Sequence, residues 1–128
     1  MTLAITPIYG AILTLIYLVL IVRVIIERRT QRFAYGDNGS PRVHAKIRAA
    51  GNWAEVVPIA LILMMMVEVQ AAWCWGLHAA GALLVVGRLL HGYSMSFVPK
   101  QIKLRMVGML LTLIALVGLV VMVLPIWG

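Results

Sequence analysis

The sequence predicts an all-α integral membrane protein, a four-helix bundle. Its 128 residues are 63% hydrophobic and only 12% charged, and the mean hydropathy is +1.02. Soluble domains have about 25% charged residues, so we expect most of this chain to lie in lipid rather than in water. A chain of this length suits one membrane domain, residues 1–128.

Four apolar segments are long enough to cross the hydrocarbon core of a bilayer, which takes about 20 helical residues. We expect these spans at about residues 5–26, 44–69, 73–95 and 104–125. Ser40 followed by Pro41 is typical of an N-cap and first helical residue, and so predicts the start of the second helix. The first segment lacks a basic start and its apolar run is too long for a cleaved signal peptide. We therefore expect it to be retained.

The formal charge of +7 does not require a nucleic-acid partner, because topology accounts for it. The basic residues cluster in the first and third connections between spans, whereas the middle connection, 68–73, has neither lysine nor arginine. Basic connections stay in the cytoplasm, so both termini are expected on the other side of the membrane. Tryptophans at the outer boundary fit this orientation: Trp73, Trp75 and Trp127.

A polar stripe begins the second helix. Arg48, Asn52 and Glu55 stand at i, i+4 and i+7 and therefore share one helical face. Ionisable groups at membrane depth cost roughly 2.5 kcal/mol or more each. The stripe is thus expected to face protein, water or a ligand, and it is the first candidate for a functional site.

The third helix carries a second polar group. Arg88 lies about as deep as Glu55, which suggests an ion pair within or between subunits, and His91 follows Arg88 at i+3. Whether such a pair only fixes helix register or also serves a site stays open. Arg23, near the end of the first span, is expected to extend to the lipid headgroups. The single cysteine, Cys74, excludes an intramolecular disulfide, and the three histidines lack ligand spacing, so no metal site is predicted.

Three motifs in order resemble the MAPEG superfamily, the membrane-associated proteins of eicosanoid and glutathione metabolism. They are Arg48-x-x-x-Asn52-x-x-Glu55-x-x-Pro58, Gly87-Arg88-Leu-Leu-His91-x-Tyr93 and Lys103-Leu-Arg105-Met-Val-Gly108. The resemblance, to a bacterial-type member, covers essentially the whole chain and implies a protein of the bacterial inner membrane.

This resemblance implies a homotrimer that binds glutathione, as a co-substrate, at subunit interfaces near the cytoplasmic face. It implies that Arg48, Asn52 and Glu55 hold the glutathione backbone and its charged ends. It implies that the site is completed by further residues on the other helices: Arg88, His91 and Tyr93 along the third helix, the catalytic Arg105 beside the thiolate, and Arg28 or Arg29 from the adjacent subunit.

The implied activity is that of a microsomal-type glutathione transferase or peroxidase acting on lipophilic electrophiles or hydroperoxides. An unperturbed thiol has a pKa near about 8.5, and a neighbouring guanidinium favours the thiolate. The bilayer supplies the lipophilic partner, so proximity contributes much of the rest. The sequence departs from the family pattern at two positions. Ala50 stands where many members have histidine. Met106 stands where one eicosanoid-synthesising branch has serine, so that activity is not expected.

Two alternatives remain open from the sequence. A non-catalytic lipid-binding or scaffold protein of the same fold would bind ligand without thiol chemistry. A small proton-coupled multidrug transporter also has four short spans and a membrane glutamate. Against the transporter, Glu55 lies beside cations that neutralise its charge.

Overall fold

The fold is known from a computed structural model that describes residues 2–71 and 73–124. Within these residues the chain forms four helices: α1 Ile5–Gln31, α2 Pro41–Val69, α3 Cys74–Phe97 and α4 Ile102–Val123. All four are long and apolar enough to cross a membrane. The predicted all-α, four-helix architecture is confirmed.

The helix ends follow from local chemistry. Ser40 caps α2 by accepting a hydrogen bond from the Val43 amide, and Pro41 opens the helix, as predicted. Helix α1 continues past the predicted membrane boundary at 26, because Arg28 and Arg29 in its last turn complement the negative end of the helix dipole. After the last helical residue, Gln31, the helix is capped by Arg32. The backbone of Arg32 is left-handed, and its N–H donates to the Arg28 and Arg29 carbonyls. The predicted end of the fourth span at 125, and Trp127, lie outside the described residues.

Each helix buries one side in the bundle, and its other sides are exposed on the surface that would contact lipid. The interior is built around Leu13, Leu20, Trp53, Leu84 and Leu119, which are nearly inaccessible. Large aliphatic side chains of α1 and α4 remain exposed, as lipid-facing surfaces of a membrane protein do. Trp73 and Trp75 are also exposed, at the turn between α2 and α3, where the outer aromatic belt was expected.

Two glycines allow α3 and α4 to pack backbone against backbone. A Cβ at Gly108 would lie 2.5 Å from the His91 nitrogen and 2.6 Å from the Gly87 carbonyl oxygen. A Cβ at Gly87 would meet the Gly108 oxygen and the Thr112 hydroxyl at 2.8 Å each. Small residues commonly permit such close contacts between membrane helices. This approach brings the polar groups of α4 within reach of α3.

At the opposite end of the bundle, Glu68 closes the start of α1. Its carboxylate accepts hydrogen bonds from the backbone N–H groups of Ala4, Ile5 and Thr6. These are the amides that a helix cannot satisfy internally, and a carboxylate also complements the positive end of the helix dipole. Glu68 therefore joins the last turn of α2 to the first turn of α1.

Candidate functional site

The polar stripe of α2 has an outer part formed by Arg48 and Glu55. The two guanidinium nitrogens of Arg48 lie 3.5 Å from the two carboxylate oxygens of Glu55. Their side chains are 41% and 61% exposed, so the pair lies at the surface of the single chain. Contact across seven residues confirms the predicted common face. A loose, two-point pair of this kind presents both a cation and an anion to a ligand.

The inner part of the stripe is Asn52, which points into the bundle toward Arg88. The Asn52 side-chain oxygen accepts a hydrogen bond from Arg88 Nη1. Arg88 Nε donates to the Thr112 hydroxyl at 3.1 Å, and that hydroxyl donates in turn to the Gly108 carbonyl at 2.7 Å. Arg88 is fully inaccessible. A single guanidinium thus links α2, α3 and α4 through neutral partners.

The ion pair expected from the matched depth of Glu55 and Arg88 is not formed within one chain. Glu55 pairs with Arg48, and Arg88 bonds to Asn52 and Thr112. Equal depth does not determine the partner within a chain, because a buried guanidinium can be satisfied by neutral oxygens and does not require a carboxylate. A contact between the two residues across a subunit interface stays a prediction.

Three arginines lie within electrostatic range of His91, and we define the positively charged cluster as Arg48, Arg88, Arg105 and His91. The imidazole is buried, and its Nδ1 has no hydrogen-bond partner among the described residues. All three guanidinium groups are close enough to interact electrostatically with the ring. Arg105 is half-buried in the first turn of α4, where the positive end of the helix dipole adds to its charge. Arg48 and Arg105 are the members of the cluster accessible enough to contact an anion, whereas Arg88 and His91 are buried behind them.

Tyr93 lies on a different side of α3 from Arg88 and His91. Its ring is half-exposed and stacks on Phe97 at 5.2 Å between centroids. The Arg23 guanidinium lies over the other aromatic ring, 3.5 Å from the Phe97 centroid, and donates to the Ser96 hydroxyl and carbonyl. Arg23 therefore joins α1 to the end of α3, a contact that the sequence did not predict. Its predicted extension to the lipid headgroups stays a prediction.

Arg28 and Arg29 lie in the last turn of α1. Arg28 Nε donates to the Gly36 carbonyl at 3.1 Å, and Arg29 is exposed. The contacts of Arg28 are therefore in the connection between α1 and α2 rather than with the cluster. Their expected reach into a neighbouring subunit stays a prediction.

Thr112 is the site residue that the sequence reasoning missed. A polar side chain in the most apolar of the four helices is a usable signal, and Thr112 follows Gly108 at i+4 on the same face. What the sequence did not provide was the register of α4 against α3, which places that hydroxyl beside Arg88. In the described part of the chain, no three His, Cys, Asp or Glu side chains lie close enough together to hold a metal ion.

Comparison with known proteins identifies the family to which this sequence is similar. The sequence model described as "MAPEG family" matches residues 6–125. The Inner membrane protein YecN of Escherichia coli K12 is 34% identical over 116 residues, covering 91% of this chain and 87% of that protein. The YecN protein of Escherichia coli O6:H1 is similar to the same extent. No solved structure matches the chain significantly.

Proposed function

This chain belongs to the MAPEG family of membrane proteins, and on that premise we propose that it is a glutathione-dependent transferase or peroxidase. Its second substrates are lipophilic electrophiles or hydroperoxides that partition into the bilayer. The observation that carries the proposal is the polar stripe of α2, where the exposed pair of Arg48 and Glu55 adjoins Asn52, which is bonded to the buried Arg88.

The pair formed by Arg48 and Glu55 is chemically complementary to the charged ends of glutathione. Glutathione carries two carboxylates and one ammonium group, so it needs cations and an anion in one site. Arg48 offers a fork of N–H donors to a carboxylate, and Glu55 accepts from an ammonium. Since the pair is exposed and its N–O distances are 3.5 Å, exchanging it for contacts with ligand costs little.

Arg105 is the residue assigned to the thiol. A guanidinium next to sulfur lowers the pKa of a thiol by favouring the thiolate, and it stays charged itself. In the transferase reaction the thiolate then forms a bond to the electrophilic carbon while the leaving group departs with its electron pair. In the peroxidase reaction it attacks the terminal oxygen of the hydroperoxide, the O–O bond breaks and the alkoxide leaves, and a second glutathione then yields the disulfide and water. Arg88 has a different role, because both its Nε and its Nη1 are engaged inside the bundle. It positions Asn52 rather than contacting substrate.

The proposal includes a homotrimer in the inner membrane, with both termini outside the cytoplasm. Support comes from the family, from the relative named as an inner membrane protein and from the basic connections between the spans. Light scattering of the purified protein in detergent tests the trimer, and a mass other than three chains contradicts it. Reporter fusions at the carboxyl terminus test the orientation.

The transporter alternative has no support in this arrangement. Proton-coupled transport needs a membrane acid that alternates between protonated and ionised forms, whereas Glu55 lies against Arg48 and is largely exposed. We therefore do not propose it.

The decisive experiment is a glutathione titration of the detergent-purified protein, followed by ultraviolet difference absorbance of the thiolate. We expect a saturable thiolate signal that disappears in Arg105→Ala, with turnover of a model electrophile reduced about 100-fold or more, as when an anion-stabilising donor is removed. Lys103→Ala is the matched control, because it removes an exposed cation from the same turn of α4.

The outcomes separate the proposals. Retained thiolate in Arg105→Ala contradicts the role assigned to that residue. Binding of glutathione without any thiolate signal replaces the enzyme by the non-catalytic, ligand-binding alternative. No binding at millimolar glutathione rejects the proposed function and leaves the fold unchanged.

A further inference from the structure

A second cationic site lies apart from the cluster around His91. A cavity of about 500 Å³ opens between the end of α1, the start of α2 and the connection from α3 to α4. Four of its lining side chains are charged, and all four are cations: Arg23, Arg42, Lys46 and Lys100. A cavity of this volume is in the range of small-molecule sites.

Lys46 provides the strongest observation. Its side chain lines the cavity although the residue is only 4% exposed. The described structure gives its ammonium one ion-pair partner, Glu27 Oε2 at 3.5 Å, which is longer than the 2.7–2.9 Å typical of a close charge-assisted bond. Glu27 also forms an ion pair with Arg42, whose Nε lies 3.5 Å from Glu27 Oε1. Since an ammonium has three donors and burial of a charge is costly, an additional anion in the cavity would stabilise Lys46.

The other cations leave donors for the same anion. Arg23 uses its Nε and Nη2 to bind Ser96, and its Nη1 has no hydrogen-bond acceptor within the described part of the chain. Lys100 is exposed in the connection between α3 and α4. Among the residues that the structure describes, Glu27 carries the only carboxylate within ion-pair distance of any of these four cations, so the local balance favours binding of a negatively charged group.

The site is separate from the one that would hold glutathione. Arg42 and Lys46 are four residues apart on one face of α2, whereas Lys46 and Arg48 are two apart and point to different sides of the helix. Arg48 pairs with Glu55 on its own face. This inference therefore does not depend on the proposed function.

The position of the cavity indicates which anion it takes. Arg23 lies in the same turn of α1 as Val22 and Ile26, whose side chains are exposed on the lipid-facing surface. A ligand held by Arg23 would thus have apolar surface beside it, and the basic connections are predicted to lie at the cytoplasmic boundary. Basic pockets between membrane helices on that side suit phospholipid headgroups.

We propose that this cavity binds a phosphate group, supplied by the headgroup of an anionic phospholipid. The phosphate oxygens accept from Lys46 and from Nη1 of Arg23 inside the cavity and from the exposed Arg42 and Lys100 at its rim, and the acyl chains lie along α1. Bound lipid then holds α1, α2 and the α3–α4 connection together.

The test measures binding of phosphatidylglycerol and of phosphatidylcholine to the purified full-length protein in a non-ionic detergent, by native mass spectrometry over a lipid titration. We expect preference for phosphatidylglycerol and about fivefold weaker binding of it in Lys100→Gln, the effect of one cation near a lipid phosphate. Lys103→Gln is the matched control, since it removes an exposed cation that does not line the cavity. Lys46→Met should weaken binding further.

Three outcomes would overturn the proposal. Equal losses in Lys100→Gln and Lys103→Gln would show a general charge effect without a site. Equal binding of the two lipids in the unmodified protein would show that the cavity does not select a negative headgroup. Displacement of phosphatidylglycerol by inorganic phosphate at millimolar concentration, with the same dependence on Lys100, would assign the site to a free anion and reject the lipid as its source.

Discussion

Arg48 and Asn52 stand one helical turn apart on the same face of α2, yet their surroundings differ. Asn52 accepts from a guanidinium that is fully inaccessible, whereas Arg48 meets Glu55 at the surface at 3.5 Å. The inner contact is costly to lose, because Arg88 cannot turn to water. The outer contact costs little to lose. A polar stripe in a membrane helix can thus combine a structural half with a half that remains available to a ligand.

The largest effect is expected at the inner half. Asn52→Leu leaves Arg88 Nη1 without its acceptor inside the bundle and should lower the free energy of unfolding by about 3 kcal/mol. Equilibrium unfolding in mixed micelles measures it. The control is Ala54→Leu, which adds a similar apolar side chain at an exposed position of the same helix.

A double variant sharpens the assignment. Asn52→Leu combined with Arg88→Met removes the buried cation together with its acceptor, and should recover part of the lost stability. If the double variant is as unstable as the two single losses added together, the residues do not act as a pair and the comparison fails.

A smaller effect is expected where α4 approaches α3. Gly108→Ala forces a Cβ against the backbone of His91 and Gly87, and so moves Thr112 away from Arg88, at a cost of about 2 kcal/mol. Gly118→Ala is the matched control on the same helix. A Cβ there meets nothing within 4 Å, so alanine should stabilise the helix by roughly 0.5–1 kcal/mol. Equal behaviour of both variants in thermal unfolding would mean that the close approach has no energetic role.

The smallest effect on stability is expected at the outer half. Arg48→Gln removes a surface ion pair and should change the free energy of unfolding by less than about 1 kcal/mol. Under the proposed function it should nevertheless weaken glutathione binding at least tenfold, the loss of one strong charge-assisted contact. Calorimetric titration beside an unfolding curve gives both values. A large stability loss with unchanged binding would reverse the roles assigned to the two halves.

The sequence was sufficient for the features that depend on local chemistry. The four helices, the Ser40 cap and the shared face of Arg48 and Glu55 follow from apolar run length, capping preference and helical period, and the structure confirms them. The hydrogen-bond partners of Arg88 could not be predicted from the sequence in this way. Sequence gives the depth of a side chain in a membrane helix, but choosing among Glu55, Asn52 and Thr112 requires the rotation of three helices about their axes.

The same limit applies to Lys46. It was expected only as one of several basic residues near the first connection, yet it is buried beside Glu27. No local signal separates it from the exposed Arg42 four residues earlier. Both residues pair with Glu27 of α1 from the same face of α2, and only the packing of the whole bundle buries one of them and leaves the other exposed.

The contact between Glu68 and the start of α1 bears on the order in which the protein is made. During synthesis α1 is inserted first, and its first amides lack the carboxylate that closes the helix until residue 68 has been added. Once α2 has crossed back, the two helices form a hairpin that satisfies this open end before α3 and α4 exist. Biogenesis can therefore begin with an amino-terminal hairpin that already carries Arg48 and Glu55, to which α3 and α4 add Arg88, His91 and Arg105.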